Sequence, residues 1–457
     1  MKNILIIAVS LVLALFLGYV ASTGSNVYVA AGFISVVVVI ISFFSPKFGF
    51  SLLIFSMLLS PEISVGAVSA SRAIVFRYDD ILLVVIFLSW LARSAIFKEK
   101  PFVLDTKVQL PVLLYAALCV ISTEMGVLRG DIHFLKSFFY VLKYVEYFFL
   151  YFMAVNIVEG KDDIKQFSKY ALIVVFIVTV YAYYFYHSAG VRASAPFEAP
   201  LGRPQESEPA SLGGYYIIIL SVFFGLLSEY SGLPFAYSIF AVLFIVPAFL
   251  VTFSRASYIG LTFSSLALLL FSRRRKFTIF IVLSSIFIIY MLVPTLSQKV
   301  RKRVRMTYQG AAASHILDLG FIGKIKLEES AWLRVVSLKR AFFEKFPKHP
   351  LLGWGVTGIG MGDSQYALII GELGALGVII FIWMMYLIFK SARRVYVYYE
   401  EKWIRAMALG LAVALVGLLF QGIGVNTFII VRIMEPFWVL TAFIMVLERK
   451  IIQKKPV

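Results

Sequence analysis

The sequence is poor in cysteine, histidine and charge. Its one cysteine, Cys119, lies inside an apolar run, so no disulfide can form within the chain. The four histidines are not at ligand spacing from one another, which excludes a Cys/His zinc motif. No G-x-x-x-x-G-K-[ST] loop occurs, so the usual cradle for nucleotide phosphates is missing. Charged residues make up 15% of the 457 positions, where a soluble domain carries roughly 25%. What is there instead is apolar: 61% of the chain is hydrophobic. That excludes an ordinary soluble domain, and it excludes disorder, which needs the opposite balance. Yet 43 Lys+Arg face 25 Asp+Glu, a net charge of +18. A basic chain can bind nucleic acid, but here the charge alternates with apolar runs of membrane length. The composition points to a polytopic membrane protein, with no nucleic acid as partner.

A spanning helix needs about 20 mostly apolar residues. Candidate spans occupy 4–22, 27–44, 48–60, 80–97, 108–123, 138–157, 170–187, 212–229, 233–251, 257–271, 277–294, 366–389, 406–424 and 434–447. Those at 48–60 and 434–447 are short, so the expected total is about 12–14. Basic residues in short loops mark the cytoplasmic side. With the N-terminus inside, the inner segments hold Lys98, Lys100 and Lys107, then Arg273, Arg274, Arg275 and Lys276, then Lys390, Arg393, Arg394, Lys402 and Arg405, and lastly the tail from Arg449 to Lys455. Both termini are therefore expected in the cytoplasm. The first span resembles a signal peptide in its Lys2 start and small residues after the run. Its length favours a retained helix.

This pattern divides the chain into an N-terminal bundle, 1–294, of about 11 helices with a short external loop at 188–211. A large external loop follows at 295–362, and C-terminal helices with a cytoplasmic tail occupy 363–457. The large loop holds twelve basic and four acidic residues. Two stretches in it read as amphipathic helices: one around Lys299–Arg305 with Val300, Val304 and Tyr308 on one face, the other from Trp332 to Phe346. Basic helices of this kind can lie on anionic lipid, or can be solvated faces that bind nothing.

Charged residues at or near membrane depth are functional suspects. Arg255 sits at the outer end of one span and Asp363 at the start of another. Lys143 and Glu146, like Arg432 and Glu435, are three residues apart and read as structural pairs along a helix. Arg192 and Arg203 share the external loop with Glu198, Glu206 and Glu208. The alternation places Arg192, Arg203, Arg255 and Asp363 on one outer face beside the basic loop. Forked guanidinium groups favour phosphate, so this face reads as a site for a phosphate-bearing ligand.

Three segments stand out: Thr252-Phe253-Ser254-Arg255-Ala256-Ser257, Arg192-Ala193-Ser194-Ala195-Pro196-Phe197, and His349-Pro350-Leu351-Leu352-Gly353-Trp354-Gly355 with Arg334 upstream. Asp363-Ser364-Gln365-Tyr366 followed by Glu372-Leu373-Gly374, Arg432-Ile433-Met434-Glu435-Pro436, and Arg77-Tyr78-Asp79-Asp80-Ile81 complete the set. Together they resemble motifs of the O-antigen ligase/O-antigen polymerase family of bacterial membrane glycosyltransferases. The resemblance runs from about residue 72 to 445 and rests on the order of the motifs more than on any one of them. It implies an all-α, GT-C-like fold with one large periplasmic loop. It also implies inverting glycosyl transfer without metal or cofactor, from undecaprenyl diphosphate-linked glycan, at the periplasmic face of the inner membrane. Ligases of this family usually carry a histidine where this chain has Asp363, which places it nearer the polysaccharide polymerases.

On that reading Arg192 and Arg255 grip the diphosphate with Arg334 or Arg203 assisting. Asp363 is the expected base, with Glu198 as the alternative, and Asp363 as a helix N-cap is the competing structural role. His349, Gly353 and Gly355 shape the loop leading into the site, and His133, His187 and His315 read as structural. Expected partners are lipid-linked donor and acceptor, membrane lipids, a chain-length regulator and a flippase. The rival readings are a ligase that transfers the glycan to lipid A-core, and a flippase for the lipid-linked oligosaccharide.

Overall fold

The computed structural model describes residues 36–69, 72–97, 102, 105–189, 192–198, 208–274, 280, 284, 294–306, 315–318, 324–360 and 364–454. The expected first span, 4–22, lies outside them, as do most of 277–294, Arg203 and Asp363. The described chain is built almost wholly of helices. These are α1 (36–44), α2 (Pro46–Leu59), α3 (Tyr78–Phe97), α4 (Gln109–Leu128), α5 (Phe134–Ile157), α6 (Lys161–Ala189), α7 (Pro209–Glu229), α8 (Leu233–Leu250) and α9 (Arg255–Phe271). After them come α10 (Pro294–Arg305), α11 (Glu329–Lys339), α12 (Gln365–Tyr398), α13 (Lys402–Gln421) and α14 (Val431–Lys454). Among the described residues, eight helices are long and apolar enough to cross a membrane, with α2 and α9 as shorter apolar helices. A lipid interior offers no water to backbone N–H and C=O groups, so helices that satisfy their own are the natural solution.

The outer surface confirms the solvent for which the chain is built. Phe176, Phe240, Leu270, Ile379 and Ile382 stand exposed on four helices, a scatter of large apolar side chains that water would penalise and lipid tails accept. This is the architecture of a helical membrane protein. At its centre lie α7, α13 and α14, the most deeply buried helices. Close approach is secured by small residues: a Cβ on Gly225 of α7 would meet the Ala406 carbonyl oxygen of α13 at 2.1 Å. Packing without a hydrophobic driving force relies on such contacts.

The described chain is nearly all-α, with two short hairpins added. An antiparallel pair, β1 (Glu62–Ser69) and β2 (Arg72–Arg77), precedes α3, and a second, β3 (His315–Asp318) and β4 (Lys324–Leu327), precedes α11. Both join helices at the end of the bundle that carries Arg255. The expected amphipathic helices of the large loop are present as α10 and α11, the latter continuing as a π-helix through Arg340–Lys345. The short span at 434–447 is part of a 24-residue helix.

The ion pairs provide an independent check on the alternation of spans. Lys47 pairs with Glu159 and Asp163, Lys107 and Arg394 with Glu448, Lys161 with Glu401, and Arg405 with Glu229. All of these belong to segments assigned to one side. Arg77 pairs with Asp79, Asp80 and Glu435, Arg129 with Asp131, and Arg255 with Glu328, and these belong to the other. The charges thus gather at two opposite ends of the bundle. Substituting Gly225→Val should force α7 from α13 and cost about 2 kcal/mol or more. A lowered melting temperature of the detergent-solubilised protein would show it, and an unchanged one would refute the close-packing account.

Candidate functional site

The site begins with a turn. Helix α8 ends at Leu250, and α9 starts at Arg255 behind an N-cap, Ser254, whose side chain accepts from Ser257 N–H at 3.4 Å. Between them Phe253 adopts φ +49, a left-handed conformation that a bulky residue takes only under constraint. The turn therefore projects Arg255 from the first position of α9. A second loop, 192–198, is tied to the first by Ala193 N–H donating to the Val251 carbonyl at 2.9 Å. This backbone bond sets Arg192 beside Arg255.

The third contribution comes from the large loop. Glu328 follows β4 at the start of α11, and its carboxylate meets Arg255 Nη1 at 2.6 Å and Arg303 Nη1 at 3.8 Å. The Arg255 and Glu328 side chains are each only 14% exposed. Partial burial, and then the charges of Arg303 and Arg255, push the Arg192 guanidinium below its usual value, with Glu328 opposing. Arg334 of α11 is close by: a side chain at Gly424 would lie 3.3 Å from Ala256 Cβ and 3.7 Å from Arg334 Cδ. Helix α10 is anchored to the same region by Lys299, which donates to Tyr186 Oη at 2.7 Å. Four arginines from four segments therefore converge on the N-terminus of α9, where the helix dipole adds further positive potential.

Three of the four arginines expected to bind diphosphate, Arg192, Arg255 and Arg334, are thus brought together. Arg303 and Glu328 belong to the cluster too, although the sequence marks Arg303 only as part of a basic amphipathic helix. The fourth expected arginine, Arg203, and the expected base, Asp363, lie outside the described residues. The N-cap of α12 is Ser364, so the cap position next to Asp363 is already taken.

Glu198 has a different setting. Its carboxylate accepts from Ala195 N–H at 3.1 Å and from the Ser211 hydroxyl, which staples the 192–198 loop onto α7. Arg432 completes the staple from α14, donating to the carbonyls of Pro196 at 2.8 Å, Leu58 at 3.2 Å and Ser60 at 3.3 Å. Its expected partner along the helix, Glu435, is reached instead by Arg77 at 3.3 Å. The other pair read along a helix separates similarly: Glu146 faces the carboxyl of Asp80, while Lys143 lies over the Tyr140 ring.

The His349–Gly355 segment explains a break in α12. At Gly374 the helix adopts φ 64 and ψ −160, which frees backbone groups that lipid cannot satisfy. The loop supplies the partners. Trp354 N–H donates to Gly371 O and Gly355 N–H to Glu372 O, each at 3.0 Å, while Ala375 N–H donates to Pro350 O at 2.8 Å. The Glu372 side chain accepts from Thr357 N–H at 2.7 Å. Gly353 packs against the Glu372 backbone at φ +72, where a Cβ would come within 2.4 Å. His349 itself lies edge-on to Trp354 at 4.5 Å, and its pKa is lowered by burial and by Arg129. The segment thus packs its backbone against the break in α12.

A scan against protein-family models finds no match, and neither does a search of the curated proteins. The site is a cationic cluster at one end of a membrane bundle, suited to a multiply charged anion. Arg432→Ala should leave three carbonyls short of a donor and cost about 2–3 kcal/mol. Thermal unfolding in detergent measures this, and a loss below about 0.5 kcal/mol would show that water replaces the guanidinium.

Proposed function

We propose that the protein polymerises undecaprenyl diphosphate-linked oligosaccharide repeat units into a surface polysaccharide such as O-antigen, capsule or exopolysaccharide. The reaction takes place at the outer face of the bacterial inner membrane, with both termini in the cytoplasm. The observation that carries this reading is the convergence of Arg192, Arg255, Arg303 and Arg334 at the N-terminus of α9. The motif resemblance, with Asp363 where the ligases have histidine, favours polymerisation over transfer to lipid A-core.

In the proposed step an acceptor hydroxyl oxygen attacks the anomeric carbon of the donor sugar from the face opposite the diphosphate. The new carbon–oxygen bond forms as the bond to the diphosphate breaks, so the anomeric configuration inverts. The hydroxyl proton passes to Asp363, and the bonding pair leaves with the lipid diphosphate. Its growing negative charge is met by guanidinium groups already in place, so that little reorganisation is needed during reaction. Arg255 lies nearest the carboxylate of Glu328, with Arg192 beside it, and these two are assigned the phosphates, with Arg334 assisting. Glu198, engaged with Ala195 and Ser211, holds the loop that presents Arg192, which leaves the base role to Asp363.

Purified protein given lipid-linked repeat units and no second enzyme should lengthen the glycan, read as a ladder on a gel. Arg255→Ala and Asp363→Asn should each lower the rate by about 100-fold while expression and melting temperature hold. Repeat units that only change leaflet would refute the reading in favour of transport. Transfer to lipid A-core without lengthening would make the protein a ligase.

A further inference from the structure

Glu328 is an unusual neighbour for a site that binds anions. Its carboxylate sits among guanidinium groups that reach it from α9 and α10, at 2.6 Å from Arg255 and 3.8 Å from Arg303. It also begins α11: the Glu328 carbonyl accepts from Ala331 N–H at 3.0 Å and Trp332 N–H at 2.9 Å. The carboxylate is therefore attached to the helix that carries Arg334, and Trp332 of that helix stacks on His315 of the β3–β4 hairpin at 5.5 Å.

We propose that Glu328 is a tethered counter-anion that fills the arginine recess until a ligand headgroup displaces it, and so sets the affinity a ligand must exceed. The proposal rests on the reading of the recess as a diphosphate site. A tethered group competes at the high effective concentration of an intramolecular partner. Displacing it lowers the affinity of every anion by the same factor. The distinction this creates is one of threshold. A bilayer phospholipid brings a single phosphodiester charge, which does little more than replace the carboxylate charge it removes. A diphosphate brings at least one charge more, together with additional acceptor oxygens for the Arg192, Arg255 and Arg303 forks. The carboxylate thus keeps the recess clear of the abundant phospholipid around it. Because it is continuous with α11, its release also loosens the first turn of that helix.

The test uses full-length protein in detergent, with farnesyl diphosphate and dihexanoyl phosphatidylglycerol as probes and calorimetry as readout. Glu328→Gln keeps the size of the side chain and removes its charge. It should tighten binding of both probes by a similar factor, about tenfold. Equal or weaker binding by the well-folded variant would make Glu328 a strut or a ligand contact and overturn the proposal. A gain that grows with probe charge would also overturn it, because Glu328 would then remain in place as a repulsive neighbour. Hydrogen exchange on the wild-type protein gives a second measure independent of the variant's folding. The Ala331 and Trp332 amides should exchange faster once farnesyl diphosphate is bound, and unchanged or slower exchange overturns the displacement. Arg255→Ala separates the two readings. If wild type binds farnesyl diphosphate and this variant does not, the diphosphate site stands whatever Glu328 does. Absence of binding in wild type and in Glu328→Gln alike overturns both.

Discussion

A guanidinium or carboxylate taken into hydrocarbon loses its water, and the loss is recovered only from partners inside the protein. Most of the polar architecture here follows from that constraint. At one end of the bundle, basic residues from several loops close onto Glu229, Glu401 and Glu448. At the other, Arg77 collects Asp79, Asp80 and Glu435, and Arg432 spends its donors on three backbone carbonyls. Each solution ties together segments far apart in the chain, so the charges serve as fasteners as well as topology signals.

The arginine recess is where this balance tips. Arg255 and Arg303 share Glu328 beside Arg192, and positive charge exceeds negative at a place framed by strained backbone. Phe197 and Phe253 both hold positive φ in the two loops that form the recess. Strain of this kind persists only where surrounding contacts enforce it. Here the enforcing contacts are identifiable: the Ala193–Val251 bond, the Glu198–Ser211 contact and the Arg432 clamp. The break at Gly374 follows the same logic in a different currency, since the His349–Gly355 loop returns to α12 the hydrogen bonds that the kink removed.

Much of the fold was legible in the sequence because hydropathy over twenty residues reports a bulk property of lipid. The spans at 80–97, 108–123, 138–157 and 212–229 each correspond to a helix with similar limits. The two β-hairpins were not legible: they are short, and 62–69 reads as a loop between apolar runs. Of the site, Arg192, Arg255 and Arg334 could be chosen because guanidinium groups on one outer face suggest phosphate. Arg303 was hidden among like charges in a basic stretch, where nothing distinguishes one arginine from its neighbours. Glu328 carried one faint signal, an acid just ahead of a helix in a loop with few acids.

What the sequence determined by itself is the class of solvent and which apolar runs become helices, because these depend on local composition alone. What only the tertiary structure decided is who pairs with whom. Arg432 and Glu435 are one helical turn apart, yet Arg432 holds the 192–198 loop and Glu435 receives Arg77 from across the bundle. Spacing along a helix says which groups can meet. In a low-dielectric interior the pairing goes to whichever groups would otherwise be left unsatisfied, and that depends on the whole packed arrangement.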